Sequence, residues 1–249
     1  MNNHLENISV VLNYYRRPHS IEKQIAAIKA QTIQPREILI WQNKGEFNDF
    51  TPLNTEVQSS CSTAISNKNW GVWSRFSYAL NSKSDFICMF DDDTIPGPLW
   101  LENCVKTYEE ERAVLGTIGV IFNDLDYASY DRWGWANPNE QKEIVDIVGH
   151  SWFFDRETLC SFWREADLPI HDLSGEDIHL SYAAKKYLGI NTYVPPHPKD
   201  CLEMWGSNPG SAAILGIDSV AISVNHHAEK FGDNLKHYNK KGFNWLRNL

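Results

Sequence analysis

Five apolar residues in succession, Phe86-Ile87-Cys88-Met89-Phe90, run directly into Asp91-Asp92-Asp93. A run that is apolar at every position has no solvent face. As a strand from Asp85 to Phe90 it must be covered on both sides, as inside a parallel sheet clad with helices. In open α/β sheets ligands bind beyond the carboxyl ends of the strands, where the three aspartates fall. Carboxylates this close repel one another unless a cation neutralises them. Hard oxygen donors suit Mg²⁺ or Mn²⁺, and either ion can clamp a diphosphate. The competing reading, a solvated acidic turn, sits poorly with the buried strand before it and the Thr94-Ile95-Pro96-Gly97 turn after it.

The remaining pattern fits an α/β chain. Ile8 to Leu12 and Glu37 to Trp41 read as short buried strands. Between them Ile21, Ile25 and Ile28 fall on one helical face, with Ser20 as the cap and an end near Gln31-Thr32, before Pro35. A strand, crossover helix and strand of this length imply parallel pairing with a right-handed crossover. A turn is expected at Asn43-Lys44-Gly45. Residues 46–68 read as irregular, with one short strand at Thr55-Glu56-Val57. Helices follow at Trp73 to Leu80 and Leu99 to Glu111, and a strand at Thr117 to Phe122. Residues 123–142 read as a loop over a site. Ile144 to Val148 and Ser151 to Phe154 are strands. Glu176 to Tyr187 is a helix closed by Gly189, Thr192 to Val194 a strand, and Val220 to Val224 strand-like. The stretch 199–216, with Gly206, Pro209, Gly210 and Gly216, is expected to be a flexible loop beside the acceptor that orders when donor binds. No repeat or linker-like tract interrupts the chain, so residues 1–249 are expected to form one α/β domain with a mostly parallel sheet flanked by helices.

Composition narrows the function. The net charge of −9, from 23 basic and 32 acidic residues, argues against a dedicated binder of nucleic acid or of anionic membranes. The five cysteines form no CxxC pair and read as reduced thiols. Met1-Asn2-Asn3-His4 does not open a signal peptide, and no window approaches the roughly 18 apolar residues of a membrane span. A cytoplasmic protein is the expectation. There is no HExxH zinc spacing, no GxSxG elbow and no P-loop. A phosphatase of the haloacid dehalogenase type also has Asp-x-Asp after a strand, but wants Thr where this chain has Ile95. A nucleotidyltransferase would bring a glycine-rich loop after the first strand, and Asn13-Tyr14-Tyr15-Arg16-Arg17 has no glycine.

The layout resembles a GT-A-fold glycosyltransferase, in which an Asp-x-Asp motif after a central strand binds the metal of a metal–nucleotide-sugar complex. It is similar both to the broad family 2-type inverting enzymes and to the exostosin-like transferase domain. The second likeness rests on Trp41-Gln42-Asn43-Lys44-Gly45-Glu46, the run from Arg75 through Asp91-Asp92-Asp93-Thr94, Gly149-His150-Ser151-Trp152-Phe153-Phe154, and Glu176-Asp177-Ile178. The resemblance is collinear over about residues 8–195. It implies a nucleotide-binding half up to about residue 122 and an acceptor-binding half beyond it. Asn13, Tyr14 and Arg17 would grip base and ribose, and an Asn can read a uracil edge with its paired donor and acceptor. Asn43 would lie near the base, where many relatives carry Asp. Asn69 and Arg75 would approach the phosphates. Asp91 and Asp92 would meet the donor, and Asp93 with help from Asp91 would hold Mn²⁺ or Mg²⁺. The donor would be a nucleotide sugar, UDP-linked first, and the acceptor a glycan or glycoconjugate.

Glu176 and Asp177 open a helix, a common place for carboxylates for dipole reasons alone. In inverting relatives a carboxylate here deprotonates the acceptor hydroxyl. The role is placed on Asp177, ionised at pH 7 if its pKa is the ordinary value of about 4, with Glu176 as runner-up. In retaining exostosin-like enzymes the equivalent Asp binds substrate instead, so stereochemistry stays open. His226 or His227 would complete the metal or diphosphate site, or else be surface residues. Trp133, Trp135, Trp152 and Trp205 lie in or beside loops, where aromatic faces can stack on a sugar. That richness also suits a non-catalytic carbohydrate-binding module, which would need neither acidic site.

Overall fold

The computed structural model of the protein describes residues 7–43, 51–126, 128–135, 137–165, 174–215 and 228–249. The chain opens with β1 (Ile8–Tyr14), α1 (Pro18–Lys29), β2 (Glu37–Gln42), α2 (Thr55–Ser60), β3 (Ser62–Ile65), α3 (Ser74–Ala79) and β4 (Phe86–Phe90). Then come α4 (Trp100–Glu110), β5 (Ala113–Phe122), β6 (Tyr130–Gly134), β7 (Glu143–Val145), β8 (Ile147–Asp155), α5 (Arg156–Phe162), α6 (Glu176–Leu188) and β9 (Asn191–Val194). A 3₁₀ turn (Leu202–Met204), α7 (Pro209–Leu215) and α8 (Ala228–Lys240) complete it.

All these strands join one sheet in the order β3-β2-β1-β4-β8-β5-β9-β7, with β6 also on β5. The pairings β1–β2, β1–β4, β2–β3 and β5–β9 are parallel, while β8 lies antiparallel between β4 and β5. The sheet is therefore mixed but mostly of one direction: β1 to β5 and β9 run one way, and β6, β7 and β8 the other.

Period-two alternation builds a core on each face. Val10, Leu12, Cys88 and Phe90 point toward the Ile21-Ile25-Ile28 stripe of α1 and Trp100, Leu101 and Cys104 of α4. Val11, Ile87, Met89 and Phe154 point the other way, onto Phe76, Leu159, Phe162 and Leu180 from α3, α5 and α6. A third cluster seats α8 and the C-terminal Phe243 and Trp245 against Ile178 and Tyr182 of α6.

Several expectations are corrected. Thr55-Glu56-Val57 starts a helix, because the Asn54 side chain accepts the Val57 amide (2.8 Å) and caps it. The edge strand is β3, just after it. Helix α1 starts at Pro18 rather than after Ser20; Pro is suited to the first helical turn, and the Ser20 hydroxyl donates to the Arg17 carbonyl (2.9 Å). The strand break expected at Gly149-His150 comes at Asp146 instead. That carboxylate accepts the Phe122 and Leu246 amides (2.8 and 2.7 Å). The loop 123–142 contains β6.

Residues 201–215 include the 3₁₀ turn and α7 and are not irregular throughout. Gly97 donates to the Trp205 carbonyl (2.8 Å), Leu99 to Glu203 (2.9 Å) and Asn208 to Ile95 (2.6 Å). A side chain on Gly97 would strike the Glu203 and Leu202 carbonyls, so this glycine serves close approach of two backbones. The Val220 to Val224 run, His226, His227 and the Lys44-Gly45 turn lie outside the described residues.

Candidate active site

The carboxyl ends of β1 and β4 lie side by side, Leu12 against Phe90. The acidic triplet that follows β4 is braced from both sides. The Asp91 amide donates to the His150 carbonyl (2.9 Å), and the Thr94 hydroxyl donates to the same oxygen (3.0 Å). From α1, the Gln24 amide donates to the Asp91 and Thr94 carbonyls (2.6 and 2.9 Å). Sequence reasoning passed over Gln24. Its signal was a buried polar residue inside the Ile21-Ile25-Ile28 stripe. In the sequence His150 is one residue of the Gly149–Phe154 run, and its positive φ of 65°, held in the middle of β8, has no mark there.

Two buried arginines meet the triplet. Arg75, on α3 and 1% exposed, donates to Asp91 Oδ1 (2.5 Å) and to Glu176 Oε1 (2.9 Å), with its guanidinium 4.6 Å from the Trp152 ring centre. This one side chain joins the acidic turn to the start of α6. Arg17 pairs with Asp92, stands 3.8 Å from Asp93 and donates to the Leu215 carbonyl at the end of α7 (3.0 Å). The sequence places Arg17 at base and ribose and Arg75 at a phosphate; in the structure both guanidiniums are committed to carboxylates.

The other base-side residues divide. Tyr14 is buried, with its hydroxyl on the Thr51 carbonyl (2.9 Å). Asn43 is a bracket within the chain: its oxygen accepts from Trp41 Nε1 (2.9 Å) and the Trp70 amide (3.1 Å), and its nitrogen donates to the Gly71 carbonyl (3.1 Å). Asn69 caps the same turn by accepting the Gly71 amide (2.9 Å). Asn13 Oδ1, at the end of β1, is buried without a hydrogen-bond partner among the described residues.

Five carboxylates (Asp91, Asp92, Asp93, Glu176, Asp177) thus meet two guanidiniums. The excess shows in their acidity. Burial pushes Asp92 from an ordinary 3.8 up to about 7, against the pull of Arg17 and with the repulsion of Asp93 and Asp91. Burial also raises Glu176, opposed by Arg75, and raises Asp177 well above the usual range, with Glu176 adding to it. The expected ordinary pKa for Asp177 is therefore corrected. Glu176 is tied to Arg75, whereas Asp177 accepts backbone amides at the start of α6, that of Ile178 at Oδ1 (2.8 Å) among them, and is not held by a guanidinium among the described residues.

The donor chemistry fits a divalent cation in one mode. Among the described residues no group of three or more His, Cys, Asp or Glu side chains is arranged to cage a metal. Among the described residues Asp91 Oδ2 takes no hydrogen bond, and Asp93 receives only a long one from Thr94 (3.4 Å). Mg²⁺ is commonly held by one or two carboxylates together with substrate phosphates, and these two supply that many.

The start of α6 is fixed from behind. His179, fully buried, donates from Nε2 to the Phe162 carbonyl (2.7 Å), so its Nδ1 accepts the Tyr238 hydroxyl (2.7 Å). Burial lowers its pKa to about 4, which keeps the ring neutral. Of the four tryptophans singled out, Trp152 and Trp205 are core residues and Trp133 packs partly against the second core. Trp135 instead stacks on His150, ring centres 5.9 Å apart at 21°.

A mostly parallel mixed sheet with helices on both faces is the arrangement of the GT-A class. The chain belongs to glycosyl transferase family 2, whose family model matches residues 9–168. It is similar to the glucosyl-dolichyl phosphate glucuronosyltransferase of Haloferax volcanii, with 30% identity over 126 residues covering 47% of this chain and 39% of that protein. The chain therefore matches well under half of that relative's length. The family match stops short of Glu176 and Asp177. Among the described residues no helix is long and apolar enough to cross a membrane.

Proposed function

We propose that this protein transfers a sugar from a nucleotide-sugar donor, UDP-linked in the first instance, to a hydroxyl of a glycan or glycoconjugate acceptor. One observation carries the reading: Arg75 binds Asp91 and Glu176 at once, which draws the acidic turn and the start of α6 into a single centre. The unpartnered Asn13 Oδ1 suits the donor edge of a nucleobase. Asp91 and Asp93 would hold Mg²⁺ or Mn²⁺, which when bound neutralises charge on the departing diphosphate. Asp177 takes the acceptor proton on its carboxylate as the hydroxyl attacks. Burial and the neighbouring Glu176 raise the Asp177 carboxyl above its ordinary range, which makes its ionised form the stronger proton acceptor.

The test is Asp177→Asn against Glu176→Gln. Loss of the base should lower turnover by about 10²-fold or more while donor affinity, read by calorimetry, is kept. Full activity in Asp177→Asn would move the base elsewhere. A parent protein that neither transfers nor hydrolyses any nucleotide sugar, yet binds glycans, would make it a binding module. The anomer of the product, read by NMR, decides inversion against retention.

A further inference from the structure

The hairpin that starts with β6 has chemistry of its own. Tyr130, Asp131, Arg132 and Trp133, with Asn137 and Pro138, line a cleft of about 420 Å³. Ligand sites span roughly 300–1,000 Å³, so this is room for a small molecule. A second cavity, beneath Phe243 and Ile190, has about 40 Å³ and is water-sized. The cleft lining combines two aromatic rings with a carboxylate, a guanidinium and an amide. Planar polar groups of that kind pair with adjacent hydroxyls, and aromatic rings accept the apolar C–H face of a pyranose. Asp131 is already paired with Arg247 (2.5 Å), so it offers carboxylate oxygens to hydroxyls and not a free charge to a cation.

The cleft is joined to the reaction centre by contact. The Arg132 guanidinium lies 5.1 Å from the Trp135 ring centre, Trp135 stacks on His150, and the His150 carbonyl holds the Asp91 amide. At about 3.4 Å per residue, β6 itself extends this surface by roughly 13 Å along the edge of β5. Along the way Trp135 Nε1 and His150 Nδ1 are buried with no hydrogen-bond partner among the described residues. Buried polar atoms are seldom left unpaired, and two neighbours left so on one stacked pair ask for a ligand. His150 also holds a left-handed backbone, a conformation that costs energy and gathers at ligand sites.

We infer that this surface is an extended acceptor subsite. The acceptor is an oligosaccharide of at least two units, its terminal sugar against Trp135 and His150 and its next sugar in the cleft on Trp133 and Asn137. The inference rests on the sugar-transfer reading above for the identity of the terminal unit, but sugar binding in the cleft can be measured without any donor.

The probes are unlabelled glucose-, galactose- and N-acetylglucosamine-based oligosaccharides of one to four units. Their binding is followed by saturation-transfer NMR and tryptophan fluorescence in the parent, in Trp133→Ala, and in Asn137→Leu, which also loses the exposed bond from the Asn137 amide to the Arg132 carbonyl (2.8 Å). Thermal unfolding checks each variant. The parent should bind at least one series, tighter from one unit to two or more, and each folded variant should weaken that binding by about tenfold or more. In transfer assays the same variants should raise the acceptor KM without changing donor hydrolysis. No binding by any series up to about 10 mM, affinity indifferent to length, or variants that bind like the parent would overturn the subsite. If the parent turns over no donor but binds oligosaccharides in the cleft, the transfer reading fails and the subsite stands. If it transfers with an acceptor KM indifferent to length and to both variants, the reverse holds.

Discussion

Asp92 is almost surrounded by protein, and that burial, with the repulsion of two neighbouring aspartates, outweighs its pairing with Arg17, so its proton is held up to about 7. That displacement makes stability depend on pH in a definite direction. In the unfolded chain an aspartate loses its proton near 3.9. Between that value and about 7 the native state therefore binds the extra proton. Stability falls as pH rises wherever the native state binds more protons than the unfolded one. Integrated over the window, the loss reaches roughly 2–4 kcal/mol. His179 and His197, both lowered to about 4 by burial, act in the opposite direction over part of the same range, so the parent's own profile mixes the two. A difference between proteins separates them. Asp92→Asn keeps a group that can accept from Arg17 but cannot titrate. Its stability relative to the parent, measured by urea unfolding from pH 4 to pH 8, should improve steadily up to about pH 7 and then level off. A difference independent of pH would show that Asp92 is an ordinary carboxylate.

At the scale of elements, the position of α6 is set by the residue before it. Gly175 has a φ of 95°, a side chain there would come within 2.5 Å of Asn234 Nδ2 on α8, and its carbonyl accepts the His179 amide (2.9 Å). Gly175→Ala should therefore cost about 1–3 kcal/mol through backbone strain and overlap. It should also lower turnover more than donor affinity, because Glu176 and Asp177 ride on that turn. A variant with parental unfolding and kcat would separate α6 placement from this glycine. The core of this arrangement was legible in the chain. The apolar runs of β1, β2 and β4, the stripe of α1 and the Gly189 cap of α6 each carry a local signal that tertiary packing reinforces. What was not legible depends on partners far along the chain. Thr55 to Val57 is short enough that one capping side chain, Asn54, decides helix over strand. The glycines of 199–216 read as loosening signals, yet Gly206 is there because Thr117 passes too close for a side chain, and Gly97 lets the backbone at Leu202 and Glu203 approach it. The acidic residues could be named from their positions after β4 and before α6. Their neutralisation by Arg17 and Arg75 could not, since no spacing in the sequence encodes which charges a fold will bury together.

At the scale of the whole molecule, the centre lies where two parts of one sheet meet: the triplet follows β4, and the carboxylate pair opens a helix that packs on β8 across the antiparallel junction. A ligand that bridges them stabilises both parts at once, so donor binding should be visible as resistance to unfolding. Ligand at about 100 times its Kd adds roughly 2.7 kcal/mol, and for domains of this size each kcal/mol raises Tm by about 2–4 °C. UDP with Mn²⁺ should then raise Tm by roughly 5–10 °C. Mn²⁺ alone should do little, because the carboxylates that face it supply too few ligands without the diphosphate. The discriminating variant is Asp93→Ala. Among the described residues Asp93 has only a long bond from Thr94 (3.4 Å) and a distant pairing with Arg17 (3.8 Å), so its removal should leave the unliganded Tm near the parent's. The increment that Mn²⁺ adds to UDP should disappear, while any smaller shift from UDP alone is kept. An Asp93→Ala protein that answers UDP with Mn²⁺ as the parent does would take the cation away from Asp93. A parent stabilised equally by UDP with and without the ion would leave Arg17 and Arg75 as the groups that meet the diphosphate, each having exchanged a carboxylate for a phosphate.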